Sequence, residues 1–140
     1  MKIENLKKIK ISDSEFFISQ LKNASFSACD FNFTNIMCWS DIYGTTWIYN
    51  DNILILYSQM FDKIILPCIH NIEPCRIKKI SDEFVEQDKS GDILLVEKNY
   101  AELHSKYFSE FFEMTIDENN SDYVYLTSDL AELKGRKFHK

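Results

Sequence analysis

The stretch Ile53-Leu54-Ile55-Leu56-Tyr57 contains no polar position, and this constrains the chain more than any other feature. It and Ile64–Ile69 are the longest apolar stretches in the sequence, each far short of the roughly 20 residues a membrane-spanning helix needs. Runs of this length suit buried strands. Burying them takes a core, and 140 residues with 45% apolar and 27% charged side chains fit one soluble domain large enough to supply it. Only three Gly and two Pro are present and no stretch is low in complexity, which argues against disorder. Eleven Phe, seven Tyr and two Trp suit a well-filled interior, or a face to be buried against something else.

Around these runs the spacing alternates between helical and extended. Ser12 with Glu15 has the form of a capping box, and Phe16, Phe17, Ile18 and Leu21 predict a helix from about Asp13 to Lys22. Asp30 or Asn32 can cap a second helix, whose Phe33, Ile36, Met37, Ser40 and Tyr43 share a face. Gly44 stands where a left-handed cap belongs. The period then becomes extended. Thr46–Tyr49 and Ile53–Tyr57 flank Asn50-Asp51-Asn52, good turn chemistry, and Lys63–Leu66 ends at Pro67. A helix is predicted from Glu73 or Pro74 to about Gln87, with Gly91 after it. A buried strand at Ile93–Val96 and a helix from Asn99 to about Tyr107 follow. Phe111–Ile116 and Tyr123–Leu126 read as strands, and Thr127–Asp129 opens a short helix that stops at Gly135. Two helices, a three-strand meander, a crossover helix, a buried strand and another helix make up the element order of the GNAT acyltransferase fold. The class expected is α/β (α+β), with a mixed, mostly antiparallel central sheet flanked by helices.

The usual chemistry of that fold does not fit these residues. An acetyl-CoA pyrophosphate rests on backbone N–H groups ahead of the central helix, in a loop where glycine permits close approach. Here that loop is Leu66-Pro67-Cys68-Ile69-His70-Asn71-Ile72-Glu73-Pro74: no glycine, two prolines without N–H donors, and a carboxylate that repels phosphate. No P-loop, nucleophile elbow or H-E-x-x-H helix is present. Cys29, Cys38, Cys68 and Cys75 have no C-x-x-C spacing and are expected to be buried small hydrophobes. Cys68, His70 and Cys75 match no zinc pattern, so no metal is expected. His70 and His104 read as packed or solvated, and Glu83, Glu86 and Asp88 as a solvated helix face. Trp39 and Trp47 read as core or domain-interface residues. The N-terminus lacks the apolar region of a signal peptide, so a cytoplasmic location is the default expectation.

The net charge of −6 hides an asymmetry. The last seven residues carry four cations, leaving 12 basic against 22 acidic side chains for residues 1–133. The body repels polyanions, while the tail attracts nucleic acid or an anionic membrane. A frayed cationic terminus is one reading of Lys134, Arg136, Lys137 and Lys140. An anion-binding element aimed at phosphate groups is the other.

The segment "DYVY…LAELKGRKFHK", with "CDFNFTNIMCW" and the "ILPC" after the hairpin, resembles the phosphatidylglycerol lysyltransferase C-terminal domain family of tandem GNAT-like proteins. The resemblance implies that residues 1–133 are a first GNAT-like domain and that 134–140 begin the linker to a second. Full-length relatives take an amino acid from aminoacyl-tRNA and transfer it to an amine or hydroxyl, in the named members a lipid head group. No metal or freely bound cofactor is implied. Lys134, Arg136, Lys137, His139 and Lys140 match the family's motif and become candidate contacts for tRNA or lipid phosphate, with Tyr123, Tyr125, Gly135 and Phe138 as its frame. None is read as catalytic. The expected partners are a second GNAT-like domain or another copy of the chain, with aminoacyl-tRNA and anionic lipid in the full-length form. Three functions compete: half of an aminoacyltransferase, inactive alone; a binding module using its tail on RNA or anionic lipid; and a stand-alone acyl-CoA N-acyltransferase.

Overall fold

Asp51 and Asn52 reverse the chain with φ of 50° and 63°, left-handed angles that short polar side chains tolerate. They join β2 (Thr45–Asn50) to β3 (Ile53–Ser58) in a register running from Thr45 opposite Ser58 to Asn50 opposite Ile53. The computed structural model describes residues 1–22 and 29–116. In it β1 (Lys7–Lys8), β2, β3, β4 (Lys63–Ile65) and β5 (Ile93–Leu94) lie side by side in that order. All neighbours are antiparallel except the parallel pair β4 and β5. The expected mixed, mostly antiparallel sheet flanked by helices is what the chain forms.

Every residue of β3 is buried, which explains its lack of polar positions. Ile53, Ile55 and Tyr57 face one hydrophobic cluster, Leu54 and Leu56 the other, because a strand sends alternate side chains to opposite faces. Helix α3 (Pro74–Val85) covers the first face with Ile77, Ile80 and Phe84. Tyr100 of α4 (Lys98–Leu103) and Phe108 of α5 (Ser105–Phe108) join it there. The second face is covered by Phe17 of α1 (Ser14–Leu21) and by Phe33 and Ile36 of α2 (Phe33–Tyr43). Asn32 caps α2 by accepting the Asn35 N–H at 2.8 Å, and Gly44 ends it at φ 59°. Both were expected.

No local pattern predicts structure for the N-terminal segment, yet it crosses from one face to the other. Met1, Ile3 and Leu6 pack on the α3 side, Lys7 and Lys8 pair with β2, and Ile9 enters the opposite cluster. Two lysines in a row show no alternation, so nothing nearby in the chain marks this strand. Its start is tied to α3, with the Met1 amine 2.7 Å from Glu83 and the Ile3 N–H donating to Gln87 at 2.7 Å. Glu83 is thus engaged, whereas Glu86 and Asp88 lie on the more open side of the helix end, as expected.

Other expectations need correction. Asp13, not Ser12, closes the turn before α1, its carboxylate accepting the Lys10 N–H at 2.8 Å. The strand expected to be buried at Ile93–Val96 is only partly covered, with Leu94 exposed, and it stops there because Leu95 turns left-handed at φ 60°. The helix expected through Tyr107 is broken at His104 (φ −107°, ψ 15°) into α4 and α5. Phe111–Ile116 is no strand. Phe111 and Phe112 both donate to the Phe108 carbonyl and finish the turn of α5, so the aromatic spacing there is helical. Cys38 and Cys75 are exposed and Cys68 is half-buried, since α2 and α3 turn the first two outward while Ile36 and Ile77 point inward. The strand at Tyr123–Leu126, the last helix and the boundary at residue 133 lie outside the described residues. Among those described, no helix is long and apolar enough to cross a membrane.

Candidate functional site

In a GNAT fold a pyrophosphate site would lie at the junction where β4 leads through a loop into α3, whose far end returns to the parallel strand β5. Helix N-termini there bind anions when their N–H groups are free. In this chain most are not. Pro74 at the first helical position has no N–H, and the N–H groups of Arg76 and Ile77 are both taken by the Glu73 carbonyl, at 2.9 and 3.3 Å. The Arg76 guanidinium turns away to Asp51, donating to its carbonyl at 3.0 Å. Glu73 leaves a carboxylate at the mouth of the helix. This helix mouth thus offers a phosphate few donors and a repelling carboxylate.

What the loop does instead is anchor. The Tyr100 hydroxyl, buried, donates to the Ile72 carbonyl at 2.6 Å, and the Cys68 thiol donates to the Gln20 carbonyl at the end of α1 at 3.5 Å. Burial first, then the Glu73 carboxylate and the Cys75 thiol, push the Tyr100 phenol up to about 12. Burial likewise raises the Cys68 thiol, which keeps it protonated and a poor nucleophile. Tyr57 is raised by burial and by its hydrogen bond to Asp62 at 2.5 Å. Among the described residues no three His, Cys, Asp or Glu side chains converge on a point where a metal would sit.

The residues chosen from sequence, Tyr123, Tyr125, Lys134, Gly135, Arg136, Lys137, Phe138, His139 and Lys140, all lie outside the described residues. Sequence reasoning missed two surfaces. On one, Trp39 stacks on Tyr43 (centroids 5.5 Å) and Tyr43 packs against Phe61 (5.3 Å), with Ile42 and Met60 exposed beside them. The pattern in α2 hints at it, since Trp39 and Ile42 fall outside the buried Phe33–Ile36–Ser40 face. The other is a notch of about 360 Å³ lined by Lys7, Lys8, Lys10 and Asp13 on the β1 edge. Trp47, by contrast, is buried against Phe16 and Phe17. Of the two tryptophans it alone is a core residue.

The family model of phosphatidylglycerol lysyltransferase, C-terminal, matches residues 22–140. The chain belongs to that family. No curated protein matches it. Its fold is shared with a crystal structure described as a conserved protein of unknown function from Bacteroides thetaiotaomicron, at 23% identity and a TM-score of 0.76. The match covers 96% of this chain but 46% of the other, so the chain spans about half the length of that structure. Family membership takes in the basic terminal motif, whereas Lys7, Lys8 and Lys10 precede the matched residues.

Proposed function

We propose that this chain is one GNAT-like lobe of an aminoacyl-tRNA-dependent aminoacyltransferase and performs no transfer by itself. The family match over residues 22–140 carries the reading. The helix mouth at Glu73–Pro74 supports it, because a lobe without a pyrophosphate cradle is unsuited to acyl-CoA chemistry. Transfer from an aminoacyl ester also needs an acceptor amine or hydroxyl deprotonated beside a positioned carbonyl. The thiol and phenols buried among the described residues are shifted toward their protonated forms and serve packing. On this reading Lys134, Arg136, Lys137, His139 and Lys140 contact tRNA or lipid phosphate as the chain enters a second lobe. The aromatic patch of Trp39, Tyr43 and Phe61 would be covered in the complete protein.

The test supplies purified chain with lysyl-tRNA and phosphatidylglycerol vesicles and follows lysine transfer to lipid. No product is expected from the chain alone. Product is expected once a second GNAT-like lobe of the same family is co-expressed with it. Turnover by the isolated 140-residue chain overturns the reading.

A further inference from the structure

The charge of the described residues is sharply divided. Residues 1–22 hold five basic and three acidic side chains, whereas residues 29–116 hold seven basic and fourteen acidic ones. Three of those five cations stand on or just after β1, an edge strand among the described residues. Lys7, Lys8 and Lys10 line the notch there, and none of them makes an ion pair with a described residue, although Lys63, Lys78, Lys79 and Lys98 all do. The one carboxylate in the notch, Asp13, already accepts the Lys10 N–H. Lys7 stands directly opposite Trp47 with its ammonium 5.8 Å from the ring, and Tyr49, 39% exposed, continues that face of the sheet along β2.

Edge lysines prevent sheet edges from pairing, but that role asks nothing of a concave notch or of an exposed ring diagonal to Lys7 on the same face of the sheet. Uncompensated cations next to an accessible aromatic face are what single-stranded nucleic acid uses: phosphates on the cations, a base on the ring. A membrane fits less well. Ile11 and Ile18 are exposed nearby, but Glu15 lies between them in the chain and opposes insertion.

We propose that the β1 edge, through Lys7, Lys8 and Lys10, with Tyr49 further along the edge on the other side of Lys7, binds the phosphodiester backbone of single-stranded RNA. This extends the aminoacyl-tRNA reading to a surface outside the family's matched residues, and the site stands on its own geometry if that reading fails.

The experiment titrates the full chain into a labelled oligouridylate across a salt series, and repeats it with Lys8→Glu/Lys10→Glu and Lys8→Gln/Lys10→Gln. Both pairs are exposed and leave Lys7 on Trp47; if the Glu pair unfolds, the Gln pair decides. Affinity at low salt should fall about tenfold or more, and the log–log salt slope should flatten by about 1.4, roughly 0.7 for each phosphate that is no longer neutralised. The same decrement should appear in a chain already carrying Lys134→Ala/Arg136→Ala/Lys137→Ala, which separates this edge from the tail. Unchanged affinity and slope in both pairs overturns the proposal, as does binding to phosphatidylglycerol vesicles without binding to oligouridylate. The lysine-transfer assay has its own readout, so either idea can fail while the other survives.

Discussion

The sheet is buried on both faces, but by different side chains. Under α3 Ile53, Ile55, Ile64, Leu66, Ile77 and Ile80 surround Phe84, and the buried rings Tyr57, Tyr100 and Phe108 complete the filling. Under α1 and α2 it is built on Phe17, Phe33 and Trp47, and rings continue outward to the exposed Trp39 and Phe61. The α3 helix turns Ile77, Ile80 and Phe84 inward at helical spacing and closes its face. The α2 helix buries Phe33, Ile36 and Ser40 and presents Cys38, Trp39 and Ile42 to solvent. The lesson is that one face is devoted to holding the fold, while the other both holds it and leaves Trp39 and Phe61 half exposed.

The largest contrast should come from truncating one ring on each side. Phe84→Ala empties a fully buried site and should cost about 4 kcal/mol, whereas Trp39→Ala, at a half-exposed ring, should cost less than about 1 kcal/mol. Urea denaturation of both variants breaks the comparison if Trp39 proves as costly as Phe84.

Next in size is Gly91→Ala. Gly91 sits at φ 71°, and a Cβ there would lie 2.6 Å from Val85 Cγ2 and 2.9 Å from Ser81 Oγ. A loss of about 2 kcal/mol is expected from the clash and the left-handed backbone together. Gly44 also has a left-handed φ, 59°, but a Cβ would meet only the flexible Gln59 side chain at 3.1 Å, so Gly44→Ala should cost about 1 kcal/mol. Equal losses in the two melts would mean that steric contact at Gly91 contributes nothing.

Tyr100→Phe strips the Ile72 carbonyl of its donor and should cost about 1 kcal/mol near neutral pH. The folded state holds this phenol neutral, with its pKa raised from the usual 10.0 to about 12. Its stabilising contribution is therefore complete below pH 10 and declines as pH rises toward 12. Tyr57 shifts in the same direction, so the substitution should reduce, not abolish, the alkaline loss of stability. A denaturation series across that window in both chains tests the sign, and an equal or steeper alkaline loss in the variant would refute it.

The smallest expected effect is none. Calorimetric titration with acetyl-CoA should give no saturable heat, because the α3 mouth has lost its donors to Pro74 and the Glu73 carbonyl. Saturable binding would mean the loop rearranges.

The fold is legible in the sequence where the signal is local. The Asp51-Asn52 turn, the Asn32 and Gly44 caps, the unbroken apolar β3 and the Pro74 start of α3 each depend on a few adjacent residues with steric or hydrogen-bonding preferences of their own. The shortage of donors at the α3 mouth is legible for the same reason, since Pro74 at the first helical position has no N–H. The misreadings lie where distant partners decide. Phe111 and Phe112 have the composition of a strand, yet the Phe108 carbonyl and the α3 cluster hold them in a turn. The basic tail can be named from sequence but lies beyond the residues whose geometry is described.

By itself, then, the sequence determined most of the alternation of helix and strand, the Gly44 cap, the Asp51-Asn52 turn and the family, because each is written in neighbouring residues or in a motif. Only the tertiary structure decided that Lys7 and Lys8 form an edge strand, that Cys38 and Cys75 face outward, and that Trp47 is core while Trp39 is surface. Strand pairing and burial are properties of what lies across the fold. No window along the chain contains the residue opposite.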